Sequence, residues 1–273
     1  MTDVFTLHRG SAPLLVSLPH DGSLIPDELA ARMTPEARRA PDTDWHVARL
    51  YDVARGLGAS ILVPRWSRYV IDLNRGEDDT SLYPGQNTTG LCPLTRFDGE
   101  PVYLAGAQPD AAEVSARIER YWRPYHEALR DELARLHAVH GRATLWEGHS
   151  IKGSDVPFLF EGRLPDLNLG TANGASCSKD LQARLEAILA AQSRHDWVAN
   201  GRFKGGHITR HYGDPANGIE AVQLETSQRC YMDEATFAFD EAKASRLQPL
   251  LSALLGAALL GPPGVARQEP LAR

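Results

Sequence analysis

The chain has 273 residues, 42% hydrophobic and 23% charged, enough to bury a sizeable core without disulfides, which excludes a disordered chain. Its 29 basic and 35 acidic residues give a formal charge of -6, an argument against a nucleic-acid or membrane-surface partner. Cys92, Cys177 and Cys230 are odd in number and lack C-x-x-C spacing, so they encode neither a disulfide framework nor a zinc knuckle and fit a reducing cytoplasm.

Residues 1–11 are polar with no apolar h-region, and residues 247–260 are too short an apolar stretch to span a bilayer, so neither export nor insertion is expected. Residues 14–18 are an apolar run closed by Pro19-His20-Asp21-Gly22, the pattern of a buried strand delivering its end to a loop. Asp42 or Thr43 caps an expected helix through Leu57, stopped by Gly58, and a strand over 60–63 follows. The β-branched and aromatic stretch 67–73 reads as another strand, ending in Asn74-Arg75-Gly76. Beyond it Gly, Pro and Thr dominate to about residue 98, a loop too long to be a plain connection.

From 110 to 140 the apolar positions Val114, Ile118, Tyr121, Trp122, Tyr125, Leu129, Leu133 and Leu136 step by three and four, predicting a helix kinked at Pro124. A strand over 143–146 opens into Glu147-Gly148-His149-Ser150, and 162–176 reads as a polar Gly/Asn-rich loop. A helix from Ser178 or Asp180 to about 193, strands over 197–199, 208–211 and 221–224, and one or two helices in 237–259 complete the chain. No linker-like run divides it, so one catalytic domain over 1–273 is expected. Strands alternating with helices argue for an α/β layered sheet whose strand ends carry the chemistry.

His20 and His149 both follow predicted strands, where side chains project into a crevice, and a catalytic zinc takes about three His, Asp or Glu ligands from distant segments. Arg68-Tyr69-Val70-Ile71-Asp72-Leu73-Asn74-Arg75 leads two guanidiniums and an amide toward one loop, a set suited to gripping the carboxylate of a small anionic substrate. The same residues are explained if Asp72 pairs with one arginine and Asn74 caps a turn, and spacing alone leaves both readings open. Glu225 ends the apolar run 221–224, where a carboxylate needs a partner or a task as general base. Neither a G-x-G-x-x-G or Walker pattern nor a G-x-S-x-G elbow is present, and no histidine pattern accompanies a cysteine, which sets aside phosphate cradles and Ser or Cys nucleophiles.

Those segments, with Asp42-Thr43-Asp44, Asn200-Gly201-Arg202-Phe203-Lys204-Gly205-Gly206, Arg210-His211-Tyr212-Gly213 and Gln223-Leu224-Glu225, resemble the bacterial N-formylglutamate amidohydrolases over nearly the whole chain. That family is related to aspartoacylase, which presents the same R-x-x-x-D-x-N-R arrangement, and to the zinc carboxypeptidases. The resemblance implies a mixed central sheet flanked by helices, phosphorylase/hydrolase-like and zinc-carboxypeptidase-like. It also implies zinc-dependent release of formate from N-formyl-L-glutamate, the last step of a histidine-degradation route. Residue by residue, it implies His20 and His149 as metal ligands, Glu225 as general base and Arg68 at the scissile carbonyl or second carboxylate. Asn74 and Arg75 bind carboxylate in that scheme, and Arg210 is a further substrate-binding candidate.

Carboxypeptidase-like relatives place a glutamate three residues after the first histidine, but Ser23 stands there, so the third ligand is assigned to Asp44 with Asp42 as rival. Glu147 stands where an aspartate is expected, and an acid of that length can still orient His149 through its other ring nitrogen. Two alternatives stay open: an amidohydrolase for another N-acyl or N-formimino acidic amino acid, and a metal-free dicarboxylate-binding module.

Overall fold

The structure, a computed structural model, describes residues 4–81, 85, 87–153, 156 and 158–261. Among the described residues seven strands form one mixed sheet: β1 (Phe5–His8), β2 (Leu14–Ser17), β3 (Ser60–Pro64), β4 (Ala143–Ile151), β5 (Leu167–Gly170), β6 (Trp197–Ala199) and β7 (Ile219–Ser227). Their spatial order is β1-β3-β2-β4-β7-β5-β6. β1 runs antiparallel to β3 and β5 antiparallel to β7, while the other neighbours are parallel. The helices are α1 (Asp27–Ala30), α2 (Val47–Leu50), α3 (Val53–Gly56), α4 (Ala111–Arg117), α5 (Arg123–His140), α6 (Lys179–Ala190), α7 (His207–Tyr212) and α8 (Glu241–Ala258). Among the described residues no helix is long and apolar enough to cross a membrane.

Because side chains alternate along a strand, the central strands feed two apolar layers. Leu14, Val16, Trp146, Val222 and Leu224 meet the leucines of α6 and α8 on one face. Leu15, Leu62, Leu145 and Ala221 meet Tyr125, Leu129, Leu133 and Leu136 of α5 on the other. β2, β4 and β7 are parallel neighbours, so their carboxyl ends share one edge of the sheet, where such folds build their sites.

Several predicted elements are corrected. β4 and β7 run nine residues each, well past Trp146 and Leu224, because the ladder continues from His149 opposite Glu225 to Ile151 opposite Ser227 after the apolar pattern has stopped. His149 therefore lies within a strand. The helix expected from Asp42 or Thr43 is two single turns, α2 and α3: His46 sits at φ 62 before the first, and Asp21 Oδ1 accepts the Ala48 N–H, 2.8 Å, that a capping residue would take. The loop expected over 162–176 contains β5, and β1 is additional to the strands expected from the sequence.

The stretch 67–73 is not a strand. It is buried throughout, yet its backbone is served by turns and distant groups: Asp72 N–H donates to Leu91 O, 2.7 Å, and Val70 O accepts from Arg117 Nη1, 3.0 Å. Residues 208–211 are helical within α7, with Ile208 N–H held by the side chain of Asn74 at 2.9 Å. The long helix expected over 110–140 is interrupted by a π-helical turn, Ile118–Trp122. Pro124 lacks an N–H and its ring crowds the carbonyl four residues back, and the widened turn accommodates both defects where a kink was expected. In the 76–108 loop, residues 82–84 and 86 lie outside the described residues.

Candidate active site

The carboxyl ends of β2, β4 and β7 surround a cavity of about 600 Å³, its open mouth included, lined by His20, Asp44, His149, Glu225, Arg68, Asn74, Arg75 and Arg202. Ligand-capable atoms of His20, Asp44 and His149 all lie within 4.8 Å of one another, and all three residues are buried. Asp44 Oδ2 stands 3.0 Å from Nδ1 of His149 and 3.8 Å from Nδ1 of His20, and also accepts the Ser150 N–H at 3.0 Å.

Each histidine's other nitrogen is occupied. His20 Nε2 is 2.7 Å from Asp72 Oδ1, and His149 Nε2 is 3.2 Å from Glu147 Oε1 and 3.1 Å from Asn74 Nδ2. Asp72 thus serves His20 with one oxygen and accepts from Arg68 Nη2, 2.6 Å, with the other. The Asp72 carboxylate behind His20 is the arrangement that sets the tautomer of a metal-ligating histidine, whereas at His149 the Glu147 carboxylate and the Asn74 amide share Nε2.

The surroundings act in opposite directions on the two histidines of the cluster. Burial opposes ionisation of His149, but Glu147 and Asp44 hold its pKa well above the ordinary range. His20 is lowered by burial and by Arg68. Asp72, despite its burial, is held well below the usual carboxylate range by His20 and Arg68. A His, His and carboxylate set with orienting acids suits a divalent ion such as zinc.

Asp42 is placed elsewhere: its Oδ2 accepts from the Tyr69 hydroxyl, 2.6 Å, and from the Phe97 N–H, 2.9 Å. Phe97 in turn lies under the Arg68 guanidinium, 4.7 Å from centroid to carbon. A second His/Asp/Cys group, Asp166, His195 and Cys230, fits a cation poorly. Asp166 Oδ1 already accepts from Arg229 at 2.6 Å and Arg163 at 3.2 Å, Arg194, Lys243 and Arg246 line the same hollow, and burial pushes the Cys230 thiol up to about 12.

Glu225 faces His149 across the β4–β7 ladder. It is buried, its Oε1 finds no hydrogen-bond partner among the described residues, and burial raises its pKa to about 8, against the opposing pull of His149. A buried carboxylate oxygen left open onto a polar cavity is costly unless chemistry uses it.

Arg75 is anchored on the carbonyls of Thr89, 2.9 Å, and Asn74, 3.2 Å. Arg202, a member of the Asn200-to-Gly206 motif whose sequence gives it no role of its own, reaches the same cavity from the loop after β6, held by Leu159 O at 3.0 Å and Asn87 O at 3.2 Å. Arg210 is exposed on α7 with its Nε on Gly205 O, 2.8 Å, and is not among the residues lining the cavity. The neighbouring glycine has a steric role: a Cβ on Gly206 would lie 2.2 Å from the Asn74 amide. Its bare backbone lets α7 reach Asn74 closely enough for the Ile208 N–H to bond Asn74 Oδ1.

Residues 12–232 match the family model described as N-formylglutamate amidohydrolase. An N-formylglutamate deformylase of Pseudomonas putida is 51% identical over 260 residues, covering 95% of this chain and 97% of that protein. Its counterpart from Pseudomonas aeruginosa is 53% identical over 260 residues, covering 93% and 97%. The crystal structure of N-formylglutamate amidohydrolase from Ralstonia eutropha JMP134 superposes with a TM-score of 0.80 at 26% identity, covering 93% of this chain and 97% of that one.

Proposed function

The chain belongs to the N-formylglutamate amidohydrolase family, and from that premise we propose that it hydrolyses N-formyl-L-glutamate to formate and L-glutamate, with zinc as its metal. The observation that carries the reading is the convergence of His20, His149 and Asp44 beside the unpartnered oxygen of Glu225, in a cavity that also holds three guanidiniums.

His20 Nδ1, His149 Nδ1 and Asp44 would hold the ion, which when bound supplies Lewis acidity at the formyl carbonyl and lets water act as a nucleophile near neutral pH. Arg75 and Arg202, with Asn74, are assigned to the two substrate carboxylates, the charge pattern that separates this substrate from neutral formamides. Arg68, fixed by Asp72, donates toward the oxygen that gains charge as the formyl carbon becomes tetrahedral. Glu225 takes the proton of the attacking water and returns it to the nitrogen as the C–N bond breaks, so that formate and the free amine leave. With positive charge bound at the cluster, Glu225 is drawn back toward the range in which it is ionised and basic. The end of a histidine-degradation route is the metabolic place this activity implies.

The test measures formate release from N-formyl-L-glutamate by enzyme of known metal content, beside the N-acetyl and N-formimino analogues. Formate release that follows zinc occupancy, with the analogues far slower, is the expected result. A preference for either analogue, or turnover independent of metal, would overturn it.

A further inference from the structure

We infer that Trp122 and His126 are positioning residues for the carboxylate grip, presented side by side by the π-turn of the long helix to hold the backbone on either side of Asn74. Three consecutive carbonyls of the loop that carries Asn74 and Arg75 are each taken by a donor from a helix. Leu73 O accepts from His126 Nε2 at 2.8 Å, Asn74 O from the His207 N–H at 3.4 Å, and Arg75 O from Trp122 Nε1 at 2.9 Å. Lacking a strand ladder, this buried stretch depends on side chains roughly fifty residues further along to satisfy its polar groups.

The two side chains are built for this. Trp122 and His126 are four residues apart, on one face of the helix, with rings stacked at 3.7 Å and 17° between planes. His126 is buried, and because the Leu73 carbonyl can only accept, Nε2 carries the proton and donates, which leaves Nδ1 as the acceptor for the Tyr212 hydroxyl 2.9 Å away. The π-turn ends at Trp122, and the residue it adds rotates the face that follows relative to α4. Arg117 of α4 thus takes the Val70 carbonyl upstream and Tyr121 of the turn packs against Trp66, while Trp122 and His126 address the carbonyls on either side of Asn74. π-turns of this kind recur at functional sites, and here the turn delivers two hydrogen-bond donors to the site's backbone.

The consequence concerns substrate binding more than turnover. Asp72 keeps its own hold on His20 and Arg68, so loosening the loop beyond it should disturb the aim of Arg75 and Asn74 first. The kinetic side of this inference rests on the substrate proposed above, whereas the order of the loop does not.

The test uses the metal-loaded full chain with Trp122→Phe, which keeps the stacked ring and loses the N–H, His126→Leu, which loses the donor, and His126→Gln, which retains one. Hydrogen exchange of the backbone amides over residues 72–76 should quicken about five- to tenfold in Trp122→Phe and His126→Leu and return toward the wild-type rate in His126→Gln, with β4 and β7 unchanged. KM for N-formyl-L-glutamate should rise about five- to tenfold in the same two variants while kcat stays within about twofold. Exchange and KM both within about twofold of wild type in Trp122→Phe would overturn the inference, as would loss of folded protein with normal KM in the folded fraction. If His126→Leu does not fold, Trp122→Phe and His126→Gln carry the test. Wild-type protein that leaves N-formyl-L-glutamate intact would refute the proposed substrate alone, and the exchange measurement would still decide the positioning.

Discussion

His20 turns Nε2 onto Oδ1 of Asp72, 2.7 Å away, and so keeps Nδ1 as its one ring nitrogen for the cluster with Asp44 and His149. Replacing either histidine by alanine, or Asp44 by asparagine, should remove metal and activity together, since two ligands hold zinc poorly. Asp42→Asn should retain the metal, because that carboxylate is spent on Tyr69 and Phe97. Asp72→Asn should weaken metal affinity about 10- to 100-fold without abolishing it. Elemental analysis of the folded variants decides, and full occupancy in His149→Ala would defeat the assignment.

Glu225→Gln preserves shape and removes basicity. We expect metal and substrate affinity to be kept and kcat to fall at least about a hundredfold. Thermal stability should not drop, since the carboxylate it replaces is buried with one oxygen unpartnered. A lower melting temperature with near-normal turnover would mean that Glu225 is structural.

Much of the sheet and part of the cluster were legible because their signals are local. His20 follows an apolar run and Glu225 ends one, and both lie at the carboxyl edge of the sheet. The far half of β4 is not legible for the opposite reason: Glu147-Gly148-His149-Ser150 carry no apolar alternation where the strand reaches the site, so periodicity stops before the ladder does. The stretch 67–73 has strand composition but no strand neighbour, and the donors that hold it, Arg117 on Val70 O and His126 on Leu73 O, belong to a helix that no local pattern connects to it. Pro124 announced a disturbance in that helix. Whether the chain answers with a bend or a π-turn depends on what the next turn must reach.

His126 also predicts an acid-side loss of stability. Burial pushes its pKa from the ordinary 6.5 down to about 3, with the charges of His207 and His211 adding to the effect and the Leu73 carbonyl opposing it. The folded state therefore binds this proton less readily than the unfolded chain. The contribution is fully present above about pH 6.5 and is lost as pH falls toward 3, at about 1.4 kcal/mol per unit. His207 is lowered as well, by burial and by His211, and acts in the same direction. Between pH 7 and 5 the His126 contribution amounts to about 2 kcal/mol. Urea unfolding at both pH values should show a stability drop smaller by about that amount in His126→Gln than in wild type, and parallel drops would refute it.

The last prediction separates the arginines. Arg75 and Arg202 line the cavity, each braced on backbone carbonyls, whereas Arg210 lies exposed on α7 with its Nε on Gly205 O. A guanidinium that grips a carboxylate inside a cavity is worth more than one at the surface, where water screens the pair. Arg75→Lys and Arg202→Ala should each raise KM for N-formyl-L-glutamate at least about tenfold with the metal still bound, since a lysine cannot reproduce a planar two-point grip and an alanine leaves the anion unpaired. Arg210→Ala should leave KM within about twofold. N-formyl-L-glutamine, which lacks one carboxylate, assigns the partners: the variant that penalises N-formylglutamate but not N-formylglutamine has lost the group facing the side-chain carboxylate. The other variant should penalise both compounds, because both retain the α-carboxylate. An unchanged KM in Arg202→Ala together with a raised one in Arg210→Ala would transfer the second anchor to α7.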